Sequence, residues 1–460
     1  MTTWETSKMN LSIIQRFSER ASQRTPLSRA LAAAGLSLTV GLVATLAATN
    51  AQAQETFKIG IVTFLSGPAA ESFGVPAANG GKVLIEALNA GTVPAPHNKK
   101  GFGGLQIVPV IVDENGGATK QVQELRNLYD REKVDVVIGY VGSGDCLAVA
   151  PVAEELKRML ILYDCGTPRI FEEKKYNYVF RTAAHAAMDN IGLMRYMVKK
   201  GIEPKDVVGI NQDYAWGQDS WKDFKASIEA LAPKATVKGE LWPKFGAGQY
   251  GSEISTMLGQ SPGLLYSSLW GGDLQSLILQ GGPRGLFKDR IVAFPAADHV
   301  IQPLGEKMPD GAIVGARGAY GQMAPKSALN DWLWSAWSKS YPNSYPVQPQ
   351  YRMVQGLLGL KAAVEKAMAT NGGKKPSNDE IIKAMKGLEW DTPGGKVKMA
   401  LGGGHQAIQD IAFGKSKWDA GKKMVMLTDI ERFSAECVNP PEGLLAEAWI
   451  KAGLRGAACK

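Results

Sequence analysis

The stretch "ETFKIGIVTFLSGPAAESFG", residues 55–74, decides the fold class, because it joins an apolar strand to an abrupt turn. Apolar residues alternate and cluster through Ile59–Phe64, and the chain then breaks at Ser66-Gly67-Pro68. The segment that follows, "NGGKVLIEALNA", has the pattern of a helix. Turns between a strand and a helix often bind phosphate, but this one lacks the G-x-G-x-x-G spacing of dinucleotide-binding proteins. The turn is therefore expected to bind a different group.

The same strand–turn–helix unit recurs along the chain. One copy is "KVDVVIGYVGSGD", which precedes the helical "LAVAPVAEELKR", and another is "RMLILYDCGTPRI". These strands do not alternate cleanly, which is typical of parallel strands buried on both faces. The repeated alternation predicts an α/β fold with right-handed crossovers and doubly wound sheets.

The number of units is too large for one small sheet, and a break falls near "YVFRTAAHAAMDN". We therefore predict two doubly wound parallel-sheet lobes joined by several crossover strands. The first lobe is expected to comprise residues 55–181 and 314–398, and the second residues 182–313 and 399–435. Residues 436–460 are expected to form a C-terminal tail.

Residues 1–53 have the pattern of a cleavable signal peptide. Basic residues precede an apolar run, Ala30–Ala48, and Ala51-Gln52-Ala53 provides an A-x-A site with cleavage after Ala53. The long basic region leaves Met9 as an alternative start, and a transmembrane anchor is the alternative interpretation. We expect a protein that is exported to the periplasm.

The charge of the chain argues against a nucleic-acid partner. Residues 1–53 contain five basic and two acidic residues, so their removal lowers the formal net charge from +8 to +5. The remaining basic residues are scattered, as on solvated faces. Four cysteines in an exported chain allow three disulfide connectivities. The local pairing, Cys146–Cys165 with Cys437–Cys459, is our first choice.

The predicted strand ends carry small, hydroxyl and aromatic residues, and helices begin directly after them. Ligands of open α/β sheets bind beyond the carboxyl ends of the strands. Helix N-termini there offer free N–H groups and a positive partial charge, which suit a carboxylate. Two lobes that face each other would form a cleft that closes on a small anion.

These features together resemble the periplasmic leucine/isoleucine/valine-binding type (type I) of solute-binding protein, which serves ABC importers. The resemblance covers nearly all of the chain after the signal peptide. It depends on the order of "IGIVTFLSGPAA", "GGLQIVPVIVDENG", "VDVVIGYVGSGD", "FRTAA" and "DYAWGQ". It implies a clamp that captures a solute and delivers it to a permease in the inner membrane, without catalysis, cofactor or metal.

The resemblance also implies roles for individual residues. Ser143 and the N–H groups near Gly144 would bind a ligand carboxylate, with Thr167 adding a hydroxyl. Trp216 and Trp270 would cover the ligand from the second lobe. Amino-acid binders of the family hold the ligand ammonium with an acidic residue, and the matching position here is either Asp298 or its neighbour Ala297. The full set of expected ligand-binding residues is Ser143, Gly144, Asp145, Cys165, Thr167, Trp216, Trp270 and Asp298.

Each candidate also has an ordinary structural interpretation. The two tryptophans could be core residues, although indole N–H groups then need partners. Ser143 could cap a helix, which requires the same geometry as an anion site. Asp298 could be an exposed loop acid. Three arginines, Arg181, Arg317 and Arg352, could pair with a second ligand carboxylate or form ordinary salt bridges. The family's usual cysteine after the second strand is missing, so Cys146–Cys165 would instead connect two binding loops.

The strongest sign of an enzyme is "GQSPG", residues 259–263, which matches G-x-S-x-G. A nucleophile elbow requires a strand before the serine and a helix after it. Here a helical segment precedes Ser261 and a strand follows, so we interpret the match as chance. The sequence therefore favours a monomeric solute-binding protein for a branched-chain or other hydrophobic amino acid, or for an aromatic acid. An exported hydrolase using Ser261 and a ligand-sensing regulator are the alternatives.

Overall fold

The computed structural model describes residues 55–459, so the predicted signal peptide lies outside the described residues. The strands of residues 55–459 form two sheets, one of eight strands and one of seven. Both sheets are largely parallel, with helices between successive strands. The predicted α/β architecture of two doubly wound lobes is confirmed.

The eight-stranded sheet belongs to the first lobe and has the order β11-β12-β13-β5-β4-β3-β1-β2. Its strands are β1 (Thr56–Thr63), β2 (Gln106–Asp113), β3 (Val136–Gly139), β4 (Leu160–Leu162), β5 (Val179–Arg181), β11 (Glu389–Thr392), β12 (Gly395–Leu401) and β13 (Gln406–Gln409). Its helices are α1 (Val75–Ala90), α2 (Gly117–Asp130), α3 (Ser143–Leu156), α4 (Arg169–Glu172), α10 (Ala328–Ser340), α11 (Gln348–Thr370) and α12 (Asn378–Met385). All residues of β3 and β4 are buried, which explains why their sequences do not alternate.

The seven-stranded sheet belongs to the second lobe and has the order β15-β14-β10-β9-β8-β6-β7. Its strands are β6 (Asp206–Ile210), β7 (Thr236–Leu241), β8 (Leu264–Ser267), β9 (Ile291–Phe294), β10 (Ile313–Gly315), β14 (Ile411–Asp419) and β15 (Met424–Phe433). Its helices are α5 (Ala186–Lys199), α6 (Ala215–Leu231), α7 (Gly251–Gln260), α8 (Gly271–Gly281) and α9 (Asp298–Leu304).

The chain passes between the two sheets after β5, after β10 and after β13. We expected residues 399–435 in the second lobe, but β13 lies in the first sheet, where Gln406 is paired with Arg181. The reason is local: β12 and β13 form an antiparallel hairpin around Gly402–Gly404, and a hairpin keeps both strands in one sheet. The last crossing therefore falls at Asp410. Residues 313–315 form β10 of the second sheet, whereas we expected the first lobe to resume at residue 314.

The C-terminal tail packs on the second lobe. Its short helices are α13 (Ala435–Val438), which lies against α5, and α14 (Ala446–Lys451), which lies against α6. Trp449 and Ile450 of α14 are buried there. Disulfides join Cys437 to Cys459 and Cys146 to Cys165, which is the local pairing that the sequence favoured. The first of these closes the tail into a loop.

One apolar core extends through both lobes. Ile59 and Ile138 of the first sheet belong to the same buried cluster as Leu265 and Phe294 of the second. Trp216 and Trp270 of the second lobe are members of this cluster too. The lobes are therefore in contact in this structure, with buried aromatic residues at their junction.

Candidate functional site

A cavity lies between the lobes, at the carboxyl ends of the strands. Its volume is about 20 Å³ in this arrangement of the lobes. Small-molecule sites have volumes of roughly 300–1,000 Å³, so the cavity has to widen before it can hold a solute. Both sheets contribute walls, and the lining includes Ser143, Asp164 and Arg352 together with several aromatic side chains. The cavity thus combines apolar surface with a few convergent polar groups, which is the usual composition of a ligand site.

The first wall is the N-terminus of α3. Ser143 is fully buried, lines the cavity, and accepts a hydrogen bond from the Thr167 N–H over 3.2 Å. The preceding loop is fixed by Glu114, whose carboxylate accepts bonds from the N–H groups of Val141 and Gly142 over 2.7–2.9 Å. The first N–H groups of a helix have no partner inside it, so this end of α3 can bind an anion.

Two arginines supply positive charge to the cavity. Arg317 and Arg352 both donate to Asp164, one to each carboxylate oxygen. Arg317 also donates to Asp189 over 2.9 Å and to the Ala184 carbonyl over 2.7 Å. These contacts bear out the salt bridges considered for Arg317 and Arg352, and both residues also line the cavity. Within the described residues, Arg181 forms no ion pair and donates instead to Gln406 and to backbone carbonyls.

The charge balance of this cluster depends on Asp189. Its side chain is buried, and its second oxygen, Oδ1, has no hydrogen-bond partner. Burial raises the pKa of Asp189 to about 7, although Arg317 opposes this shift. A carboxyl with that pKa is partly protonated at neutral pH. Asp189 then balances the two arginines less completely than a fully ionised carboxylate would.

Aromatic side chains form the remaining walls. Phe73 comes from the first lobe, while Tyr214, Trp216 and Trp270 come from the second. The Trp216 indole donates to the Ser268 carbonyl over 2.8 Å, and the Trp270 indole donates to the Tyr214 hydroxyl over 2.9 Å. These partners satisfy both indole N–H groups, so the two rings can be buried without an unpaired donor.

The opening turn of the chain positions Phe73. Residues Ala70–Gly74 form a π-helical turn ahead of α1, and Gly74 lies directly on the backbone of Phe64. A Cβ on Gly74 would overlap the Phe64 carbonyl. The ring of Phe73 packs edge-on against Trp270, with ring centroids 5.4 Å apart. The turn therefore contributes an aromatic wall to the cavity, which sequence reasoning did not foresee.

The predicted site residues separate into two groups. Ser143, Trp216 and Trp270 line the cavity, and the other five do not. Those five are Gly144, Asp145, Cys165, Thr167 and Asp298. Gly144 is exposed at the start of α3, and Asp145 is buried behind that helix end, where burial raises its pKa to about 6.

Each of the remaining three residues has a partner elsewhere. Cys165 is bonded to Cys146, and the Thr167 hydroxyl donates to Asp219 over 2.5 Å. Asp298 accepts a bond from the Gln348 N–H at the start of α11 over 2.9 Å, so it caps that helix. Its buried carboxyl has its pKa raised to about 7. That a ligand ammonium binds Asp298 stays a prediction.

Sequence reasoning missed several of the lining residues. Asp164 lies two residues after the end of β4, and a polar residue near a strand end is a usable signal. Tyr214 comes directly before α6, four residues after the end of β6. Gln348 was not considered, and Arg352 was considered only as one of three arginines that could pair with a ligand carboxylate; both lie in α11, a long helix with no local sequence signal of a binding site. Only the fold brings that helix to the cavity.

Ser261 is placed as the sequence suggested, between a helix and a strand. It follows α7 and precedes β8, which is the reverse of a nucleophile elbow. Its backbone has a positive φ of 44°, and its N–H is bonded to the Met257 carbonyl as the end of the helix. Among the described residues there is no group of acidic, histidine or cysteine side chains that could hold a metal ion. In residues 55–459, no helix has the length and hydropathy needed to cross a bilayer.

Two sheets facing a charged and aromatic cavity define a two-lobed ligand-binding fold, and comparison with known proteins gives the family. A family model described as "Periplasmic binding protein" matches residues 56–423. The chain belongs to this family. The "Leu/Ile/Val-binding protein homolog 6" of Brucella abortus is 27% identical over 194 residues. That match covers 42% of this chain and 46% of the relative, so less than half of the relative's length is matched.

Solved structures share the fold over most of the chain. A solute-binding protein of an ABC transporter from Rhodopseudomonas palustris BisB5, in complex with 3,4-dihydroxybenzoic acid, is 23% identical with a TM-score of 0.69. The similarity covers 84% of this chain and 99% of that one. An ABC-type branched-chain amino acid transporter from Rhodopseudomonas palustris CGA009 is 25% identical, with a TM-score of 0.62 and coverage of 84% and 98%.

Proposed function

We propose that this protein is the solute-binding component of an ABC importer and that it captures a small aromatic carboxylate between its lobes. Family membership and the cleft support the first part. The protein would work in the periplasm as a monomer and would deliver the solute to an inner-membrane permease. The observation that carries the second part is that two arginines line the cavity and that its one lining carboxylate, Asp164, is bonded to both of them.

The anionic half of the ligand has three suitable partners. Arg317 and Arg352 line the cavity, and the N-terminus of α3 lies in the same wall at Ser143. The Arg352 Nε has no hydrogen-bond partner although the side chain is buried. A carboxylate would satisfy this donor and form a charge-assisted bond. An uncharged solute would leave it unsatisfied, which is costly in a buried position.

The absence of a free acid separates aromatic acids from amino acids. Asp164 lines the cavity, but both of its oxygens are occupied by arginines. Asp298 accepts from the first N–H of α11 through Oδ2, and although its Oδ1 has no partner, the residue does not line the cavity. An amino acid would bring an ammonium group that has no anionic partner in this cavity. The aromatic walls of Phe73, Trp216 and Trp270 are suited to a flat ring, which gains offset or edge-on contacts.

A thermal-shift and calorimetric screen tests this proposal. We expect benzoate and 3,4-dihydroxybenzoate to raise the melting temperature, while leucine and isoleucine do not, because a ligand stabilises by RT ln(1 + [L]/Kd). Cyclohexanecarboxylate is the matched control for the ring. Arg352→Met should weaken benzoate binding by about tenfold or more, since a bond to a charged group contributes about 1.5–3 kcal/mol. Stabilisation by leucine alone would contradict the proposed ligand class.

The hydrolase alternative is tested by Ser261. We expect Ser261→Ala to bind benzoate like the parent protein and to leave any hydrolysis of p-nitrophenyl esters unchanged. A loss of ester hydrolysis in this variant would favour an enzyme. The regulator alternative has no observation in its favour among the described residues.

A further inference from the structure

One contact between the lobes lies beside the cavity and has no role in the proposed binding chemistry. The Asp219 carboxylate accepts from the Thr167 hydroxyl over 2.5 Å and from Arg169 Nε and Nη2 over 2.9 and 2.7 Å. The Asp219 side chain is 6% exposed and that of Arg169 is 34% exposed. One buried carboxylate thus accepts three hydrogen bonds, two of them from a charged group.

The partners in this contact belong to different lobes. Thr167 and Arg169 lie between β4 and β5, in the first lobe. Asp219 lies on α6 of the second lobe, one turn after the cavity residue Trp216. The chain does not cross between the lobes within either segment. All three bonds would therefore break if the lobes separated at this edge.

The cavity can be filled only if such a separation occurs. Its volume of about 20 Å³ leaves no room for a solute, and Ser143 and Trp216 in its walls are 0% and 2% exposed. A solute has to enter an open form and is then enclosed when the lobes close. Its apparent affinity depends on the free-energy difference between the open and closed forms, and contacts present only in the closed form raise that affinity.

We propose that Asp219 stabilises the closed arrangement of the lobes and thereby sets the affinity for the solute without touching it. Asp219 does not line the cavity, so it is a positioning residue that acts through the lobes. The inference requires that a solute binds between the lobes, but not that it is an aromatic acid. It also gives Thr167 a role other than ligand contact: its hydroxyl helps to hold the lobes together.

The same helix offers a matched control. Lys225 of α6 forms an ion pair with Glu240 of β7 over 3.3 Å, and both residues belong to the second lobe. Lys225→Met therefore removes an ion pair of α6 that does not join the lobes. A general weakening of α6 would appear in this control as well, whereas the loss of a contact between lobes would appear only in variants of Asp219 and Arg169.

The test is a double-mutant cycle with benzoate and leucine as probes in calorimetry. We expect Asp219→Asn and Arg169→Met each to weaken binding of whichever probe the parent protein binds by about tenfold. The double variant should be no weaker than Asp219→Asn alone, because Arg169→Met removes only the bonds from Arg169 to the same carboxylate. Lys225→Met should bind within twofold of the parent. Additive losses, or an equal loss in Lys225→Met, would overturn the proposal.

A second measurement does not depend on the identity of the solute. Spin labels at Gln123→Cys on α2 and Thr256→Cys on α7 report the distance between the lobes, since both positions are exposed and the native cysteines are paired. We expect Asp219→Asn to shift the distance distribution from the closed towards the open form. Unchanged distances with and without probe would overturn the role of Asp219. Failure of both probes to bind would instead count against the proposed ligand class.

Discussion

Gly166→Ala tests whether the lobes must close as the structure shows. Gly166 lies in the first lobe directly beneath the Trp216 ring of the second lobe. A Cβ added at Gly166 would overlap the indole, with three ring atoms at or within 3.0 Å, a distance that real Cβ atoms essentially never show. The nearest atoms belong to a rigid, buried ring that donates to the Ser268 carbonyl, so the side chain cannot simply swing away.

The size of the effect follows from the cost of overpacking. Inserting a methyl group into a well-packed site costs about 1–3 kcal/mol. If the closed form alone carries this cost, the affinity for a solute falls by roughly 5- to 150-fold. The open form has no contact between Gly166 and Trp216, so the unliganded protein should lose less stability than binding loses affinity.

The assay is a calorimetric titration with benzoate, compared with the melting temperature of the unliganded protein. Gly259→Ala is the matched control, because Gly259 lies in α7 away from the cavity and a Cβ there would have no atom within 4 Å. We expect the control to bind like the parent protein. Wild-type affinity in Gly166→Ala would refute the closed arrangement of Gly166 and Trp216 as the binding form.

Three further predictions concern charge and covalent structure. Asp164→Asn should lower the free energy of unfolding, measured by thermal denaturation, by about 3–5 kcal/mol, because it leaves two buried arginines without their shared partner. The control is Glu132→Gln, which breaks an exposed ion pair and should lower the free energy of unfolding by less than about 1 kcal/mol. Equal melting temperatures of the two variants would contradict the buried ion pairs. Burial raises the pKa of Asp298 from 3.8 to about 7, so the folded protein keeps a proton that the unfolded chain releases, and stability falls as the pH rises from about 4 to 7. Asp298→Asn should therefore lose less melting temperature between pH 5 and pH 8 than the parent, and an identical slope would show that this carboxyl does not titrate there. Finally, the denatured, unreduced protein should take up no iodoacetamide at its four cysteines, whereas uptake before reduction would contradict both disulfides.

The sequence was sufficient to predict the fold because the signals of that fold are local. Runs of apolar residues that end in glycine, serine or threonine define each strand–turn–helix unit, and parallel sheets follow from their alternation. The placement of β13 was wrong because a hairpin and a crossing strand begin with the same pattern. Only the pairing of Gln406 with Arg181 distinguishes them.

The candidate site was predictable only where its residues follow strands. Ser143 and Trp270 begin helices at strand ends, so their position in the cleft could be inferred from the chain order. Arg352 lies within the long helix α11, and no periodicity indicates that this helix reaches the cavity. Thr167 also follows a strand, but its hydroxyl donates to Asp219 of the second lobe. A position near a strand end therefore does not show whether a hydroxyl binds a ligand or the other lobe.

The central claim is that a small carboxylate binds between the lobes, against the arginines and the N-terminus of α3. A crystal structure of the protein grown with benzoate tests it most directly. We predict a ring between Phe73 and Trp216, with a carboxylate oxygen within hydrogen-bond distance of Arg352 or of the first N–H groups of α3. A benzoate bound outside the cleft, or an empty cleft at saturating benzoate, would contradict this account.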